Sequence, residues 1–402
     1  MSTTTTSPAR SGWRFDATPH DYVISDVHVV LPGRVTDRAA VAVENGLITD
    51  VLETSTIRGD IDGNGMLLAP GLIDVHSDAL EKERTPRPSA ELPWDYAMAS
   101  FEGKVVAAGI TTVFHGAGFH NKISDGVARR PSLALELCDV VDAFTSTRVD
   151  HQVLHRFNVR SDQGAELIST RIADLPPGAG PILLSHEDHT PGQGQYADVG
   201  HFVDTLVESG EDRAEVERRV QERMAQAART EHVREANLAW AGELASSGGA
   251  RLLGHDPDTV EAIDQLLARG GAVAEFPTTM AAARHARECG LLTVAGAPNV
   301  LRGSSHSGNV SAAELVTAGL VDALASDYLP SGLLGSLAVL HRDLGLDLPD
   351  AFHLITAGPA AVAGLTDRGR IEPGMRGDLA LVDLGSRWPT AVATFSAASM
   401  RS

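Results

Sequence analysis

Pro70-Gly71-Leu72-Ile73-Asp74-Val75-His76-Ser77-Asp78 is the stretch that decides how the rest of the chain is read. A turn dipeptide releases the chain into a short apolar run, the pattern of a strand buried on both faces. His76 and Asp78 stand at its C-terminal end. In a strand, residues i and i+2 point to the same face, so both side chains can aim at one point. An imidazole and a carboxylate meeting there make half of a metal site. Taken alone, the pair reads more simply as a strand running out into polar loop residues. Its meaning rests on what the other strand ends carry.

Working outward, short apolar runs alternate with helical stretches, a pattern that predicts βαβ units and a parallel sheet. The candidate strands are 72–75, 110–114, 153–159, 182–185, 252–254, 272–276, 292–295 and 323–325. Helical patterns lie between them, the longest over 211–244, whose mixed charges read as a solvated face. The pattern is least regular between His151 and His189. Eight strands with interposed helices predict an α/β fold, a (β/α)8 TIM-like barrel over residues 70–365. Upstream, residues 22–66 alternate in the manner of β-strands, with Asn45-Gly46 as a two-residue hairpin signal, and read as a small antiparallel sheet. A similar piece returns near Asp378-Leu379-Ala380-Leu381-Val382-Asp383. The expected organisation is therefore a disordered tail (1–18), one part of a small β-sandwich (19–69), the barrel, and the other part of the sandwich with the C-terminal tail (366–402). The two chain ends together build the sandwich.

The polar residues fall where a barrel's active groups sit, at the C-terminal ends of the strands. One candidate strand ends near Asp162. Another runs into His186, Glu187, Asp188 and His189. Two more end in His255-Asp256 and in Asp327. Imidazoles and carboxylates gathered in this way suit one or two divalent ions, Zn, Mn, Fe or Ni. A last-strand carboxylate such as Asp327 is placed to hold an attacking water and take its proton. His186 and His115 read more simply as core or loop histidines.

Composition narrows the classes. A formal charge of −20 argues against nucleic acid as a partner. No apolar run is long enough to span a membrane, and the Thr/Ser-rich N-terminus lacks the apolar core of a secretory signal. Two cysteines without metal-type spacing fit a reducing compartment. A cytoplasmic enzyme is the expectation.

The run Pro70 to His76, the late Asp327 and the closing Ile371-Glu372-Pro373-Gly374-Met375-Arg376-Gly377-Asp378-Leu379-Ala380 resemble the amidohydrolase superfamily. Its usual first-strand motif is HxH, whereas this chain has His76-Ser77-Asp78. One branch carries HxD. The segments Asp78-Ala79-Leu80-Glu81-Lys82, Asp188-His189-Thr190-Pro191-Gly192-Gln193, Ala274-Glu275-Phe276-Pro277-Thr278-Thr279 and Arg302-Gly303-Ser304-Ser305-His306-Ser307-Gly308-Asn309 look like that branch, the PhnM-like diphosphatases of phosphonate catabolism. The resemblance implies hydrolysis of α-D-ribose 1-methylphosphonate 5-triphosphate to the 5-phosphate and pyrophosphate. It implies a metal centre of His76, Asp78, His189, His255 and Asp327, with Asp327 as the catalytic residue. Asp162 joins this set where the branch has a glutamate. His115 departs from a common aspartate, a change at a strand end that could alter substrate choice.

A small anionic, phosphorylated substrate needs cations and N–H donors. Lys82 and Arg87 follow the metal motif and match the branch. Arg302, Ser304, Ser305 and His306 follow the seventh strand, where barrels often bind phosphate. Gly192-Gln193-Gly194-Gln195 is a weaker phosphate loop. A homo-oligomer, a dimer, is the expected assembly. Two other readings remain open: a hydrolase of C–N bonds in cyclic amide or N-acyl substrates, and a non-catalytic paralogue that has kept its ligands.

Overall fold

In the computed structural model, residues 18–53, 56–87, 89–120, 122–124, 127–129, 131–305 and 309–398 are described, those of 122–124 and 127–129 by backbone alone. The expected tail lies almost wholly outside them, and so does His306. Eight parallel strands form one sheet in sequence order: β1 (Leu72–Ser77), β2 (Ile110–Phe119), β3 (Asp150–Asn158), β4 (Ile182–Glu187), β5 (Ala250–His255), β6 (Val273–Glu275), β7 (Leu292–Gly296) and β8 (Ala323–Ala325). The sheet closes into a barrel just past β8. Asp327 N donates to His76 O at 2.9 Å, and Asp78 N donates to Asp327 O at 2.7 Å. Beside this seam, the buried Asp74 carboxylate accepts from both the backbone N–H and the hydroxyl of Ser326.

Alternate residues fill the barrel, including Ile73, Val75, Phe114, Leu154, Leu183 and Val273. The same alternation continues upward in β3 and β4, so Arg156 and Glu187 follow Leu154 and Leu183 toward the C-terminal mouth. In β1 the pairing slips between Asp74 and Ser77. That irregularity lets both Val75 and His76 face the interior.

The chain ends meet, as the sequence predicts, but as one seven-stranded mixed sheet rather than an antiparallel sheet within a sandwich. Tyr22–Leu31 pairs in parallel with Ile61–Pro70, and Leu379–Asp383 pairs antiparallel with the other edge of Ile61–Pro70. The Asn45-Gly46 turn has φ of +51° and +71°, the left-handed pair that a two-residue hairpin needs. The helical stretch over 211–244 is two helices, Arg213–Arg229 and Glu231–Ser246, broken at Thr230. No helix among the described residues is long and apolar enough to cross a membrane.

His115 lies in the middle of β2, not at its end. It is fully buried and faces Phe101 of the helix Trp94–Ala107 (ring centroids 5.2 Å apart), with Nε2 2.9 Å from His151 Nδ1. It is therefore a hydrogen-bonded packing residue between sheet and helix. His155 faces outward too, accepting from Arg171 Nε at 2.9 Å and lying 3.2 Å from Leu183 O. Burial, then the Arg171 charge, push its pKa down to about 3.

A buried histidine that stays neutral when folded but titrates near 6.5 when unfolded stabilises the fold above that pH. This contribution is lost as pH falls from about 6.5 toward 3. Urea denaturation of the wild type between pH 7 and 4 is expected to show falling stability, and His155→Gln a shallower fall. Equal slopes in the two proteins would contradict the assignment.

Candidate metal centre

Glu275, at the end of β6, is fully buried. Its Oε1 lies 2.7 Å from His76 Nδ1, its Oε2 lies 2.7 Å from His255 Nδ1, and Ser185 Oγ donates to Oε2 at 2.6 Å. An ionised carboxylate can only accept, so both Nδ1 atoms carry a proton, which leaves Nε2 as the atom each ring would offer to a metal ion. Burial opposes the Glu275 charge, but the His76 charge and the two imidazole hydrogen bonds hold its carboxyl well below the usual range. One carboxylate thus fixes the tautomers of two histidines from different strands, an arrangement common behind metal-ligating imidazoles.

The Nε2 atoms turn toward a ring of carboxylates. His76 Nε2 lies 3.6 Å from Asp78 Oδ1. His189 Nε2 and His255 Nε2 each lie 3.5 Å from Asp256 Oδ2. Donor atoms of His76, Asp78 and Asp327 fall within 4.8 Å of one another, as do those of Glu187, His189 and His255. His76 is raised to about 10: burial disfavours its charge, and Glu275 and Asp78 overcome this. Burial, then the neighbouring Asp78 charge, raise Asp327.

Three non-glycine residues with left-handed backbone aim this cluster: Asp256 at φ +53°, Phe276 at +53° and Asp327 at +55°, each just past a barrel strand. Such conformations are uncommon outside glycine and concentrate at functional sites. The Phe276 ring packs against His76 and His255 at 5.1 and 5.4 Å between centroids.

The donor set fits a divalent ion. His189 Nε2 and Asp256 Oδ2 are buried without a hydrogen-bond partner, although they lie 3.5 Å apart. Converging imidazole and carboxylate donors, held from behind by Glu275, are the chemistry such an ion requires.

Of the ligands expected from sequence, the structure brings together His76, Asp78, His189, His255 and Asp327. Asp162 it does not: it is exposed in the loop before the helix Gly164–Asp174. A buried carboxylate is supplied instead by Glu187. Asp188 turns away to Arg160 and Thr190. Lys82 sits at the mouth, its Nζ 5.2 Å from the centroid of the Tyr328 ring, next to Asp327. Arg87 and Ser304 are exposed beyond β1 and β7, and Ser305 is half-buried. Arg302 closes the short helix Ala297–Arg302, so the expected phosphate loop is helical in its first part. Gly194 N, in the weaker loop, donates to Asp258.

Sequence reasoning missed Arg156 and His120, gave Glu275 no role, and named Glu187 and Asp256 at strand ends without counting them as ligands. Arg156, on β3, pairs with Asp78 and with Glu187, the latter at 2.7 Å. His120 Nδ1 lies 2.7 Å from Glu187 Oε1. A cavity of 1540 Å³ opens at the opposite end of the barrel, among Asp150, His151, Arg171 and Arg251, and none of the cluster's donors lines it.

Glu275→Gln keeps the shape of the side chain but can no longer accept from both imidazoles. It is expected to weaken divalent-metal affinity by about 10–100-fold, measured by titration against a chromophoric chelator. Unchanged affinity would remove Glu275 from its orienting role.

A family model described as "Amidohydrolase family" matches residues 213–401. The chain is 34% identical over 368 residues to alpha-D-ribose 1-methylphosphonate 5-triphosphate diphosphatase of Escherichia coli (strain K12), covering 89% of this chain and 94% of that protein. Among solved structures it is similar to 5-methylcytosine deaminase from Klebsiella pneumoniae liganded with 5-fluorocytosine. The TM-score there is 0.62 at 16% identity, over 94% of this chain and 96% of that one. It is also similar to a prolidase complexed with N-methylphosphonate-L-proline, with a TM-score of 0.57 at 14% identity over 92% and 96%. The latter two share the fold. With the near full-length relative and the barrel and sheet described above, they place the chain in the amidohydrolase superfamily of metal-dependent hydrolases.

Proposed function

We propose that this protein is a cytoplasmic diphosphatase that cleaves the α–β phosphoanhydride bond of α-D-ribose 1-methylphosphonate 5-triphosphate. What carries the reading is the near full-length likeness to the Escherichia coli diphosphatase. It is supported by a buried donor cluster of His76, Asp78, His189, His255 and Asp327 beneath a mouth that presents Lys82.

A divalent ion held by these residues would act as a Lewis acid and lower the pKa of a coordinated water from 15.7 to about 7. The chain's own groups do the rest. Asp327 accepts the proton of the water that attacks the α-phosphorus. A new P–O bond forms there, the bond to the bridging oxygen breaks, and pyrophosphate departs with the electron pair. Glu275 keeps His76 and His255 in the ligating tautomer throughout. Lys82, with Arg87 and Arg302 on the same end of the barrel, neutralises phosphate charge that the net charge of −20 would otherwise repel. Ser304, Ser305 and His306 extend that phosphate contact in this reading. Cations are of little use to a neutral cyclic amide, so C–N hydrolysis is the second reading.

Phosphorus NMR of the metal-loaded protein with the triphosphate is expected to show pyrophosphate released by the wild type. Asp327→Asn should reduce the rate by about 10²–10⁴-fold. A metal-filled protein that releases no pyrophosphate sinks the substrate assignment. Lys82→Met is expected to raise KM for the triphosphate with a smaller effect on kcat, in steady-state assays of pyrophosphate release. The reverse pattern would take Lys82 out of phosphate binding.

A further inference from the structure

Two ions 3.5–4 Å apart are usually joined by a group that faces both. Among the described residues of the cluster, most carboxylates have an oxygen committed elsewhere. Both oxygens of Glu275 are held by His76, His255 and Ser185. Arg156 Nη1 takes Asp78 Oδ2, and its Nη2 takes Glu187 Oε2 at 2.7 Å. The remaining Glu187 oxygen, Oε1, lies 2.7 Å from His120 Nδ1. Asp256 is the exception: its Oδ2 lies 3.5 Å from both His189 and His255 without a hydrogen bond and stays open to an ion.

The guanidinium reaches Asp78 by crossing β2 at Gly116. A Cβ there would collide with Asp78 Oδ1 and come within 3.0 Å of Arg156 Cδ. The missing side chain is what admits the cation. Arg156 is 5% exposed, and a guanidinium does not deprotonate in proteins. A second dication beside it would meet direct charge repulsion in a poorly screened interior.

We propose that Arg156 stands where a second ion would sit, so that the centre holds a single divalent ion. The inference rests on the metal-centre reading and adds its stoichiometry. Arg156 is then a positioning residue: it fixes one oxygen of Asp78 and leaves the other for the ion.

The test is metal content per chain by mass spectrometry, with electron paramagnetic resonance of the Mn²⁺-loaded wild type. One Mn²⁺ per chain with the spectrum of an isolated ion is expected. Two per chain with an exchange-coupled spectrum would overturn the proposal while leaving the metal centre standing. A chain that binds no Mn²⁺ or Zn²⁺ would overturn the centre and this inference together. Arg156→Met frees the two carboxylates and is expected to raise the count toward two. Arg156→Lys, which keeps the cation, is expected to stay at one. A Met variant still at one ion removes Arg156 from the role, and the wild-type count decides the stoichiometry if that variant does not fold.

Discussion

The candidate site depends on one buried carboxylate shared between two imidazoles. Glu275 comes from β6, His76 from β1 and His255 from β5, so a single group ties three strands of the barrel together at their C-terminal ends. Buried away from water, such a carboxylate is tolerable only when its charge is paired and its lone pairs are used. The two imidazoles and Ser185 meet that demand. In doing so they lose rotational freedom and hold their Nε2 atoms in fixed positions. Stability and chemistry are thereby the same interaction seen from two sides.

Around that pairing, backbone shape does the aiming. Asp256, Phe276 and Asp327 leave their strands in the left-handed region, so each side chain turns back over the barrel instead of continuing outward. The slip in β1 does the same for His76. These local departures from regular structure cost conformational energy, and the closure of the barrel at Ser77 and Asp327 holds them in place.

Much of this could be read in the sequence, for a definite reason. His76 and His255 close apolar runs, and Asp78, Asp327 and His189 follow such runs within a few residues, so the end of a buried strand and the start of polar chemistry nearly coincide in the letters. The barrel count followed from the same runs. Glu275 and Arg156 escaped because they sit within or at the edge of strands where period-two alternation makes a polar residue unremarkable. Only the three-dimensional neighbours show that each faces the interior. Asp162 misled in the opposite sense. It follows a strand, yet the chain has already turned outward, and the buried carboxylate comes from Glu187 on the next strand. The single mixed sheet at the chain ends was also out of reach. Alternation signals strands, but it does not say which edge meets which or in what direction.

The pairing of the two chain ends bears on how the protein is made. Ile61–Pro70 enters the first barrel strand through Gly71 alone, and one of its edges is covered by Leu379–Asp383. On the ribosome that edge has no partner until residues 379–383 have emerged. An uncovered strand edge recruits other strands, and contacts so distant in sequence form slowly. The strand that leads into β1, and so toward His76, therefore receives its last support only once residues 379–383 have been made, and the nascent barrel must stay soluble until then.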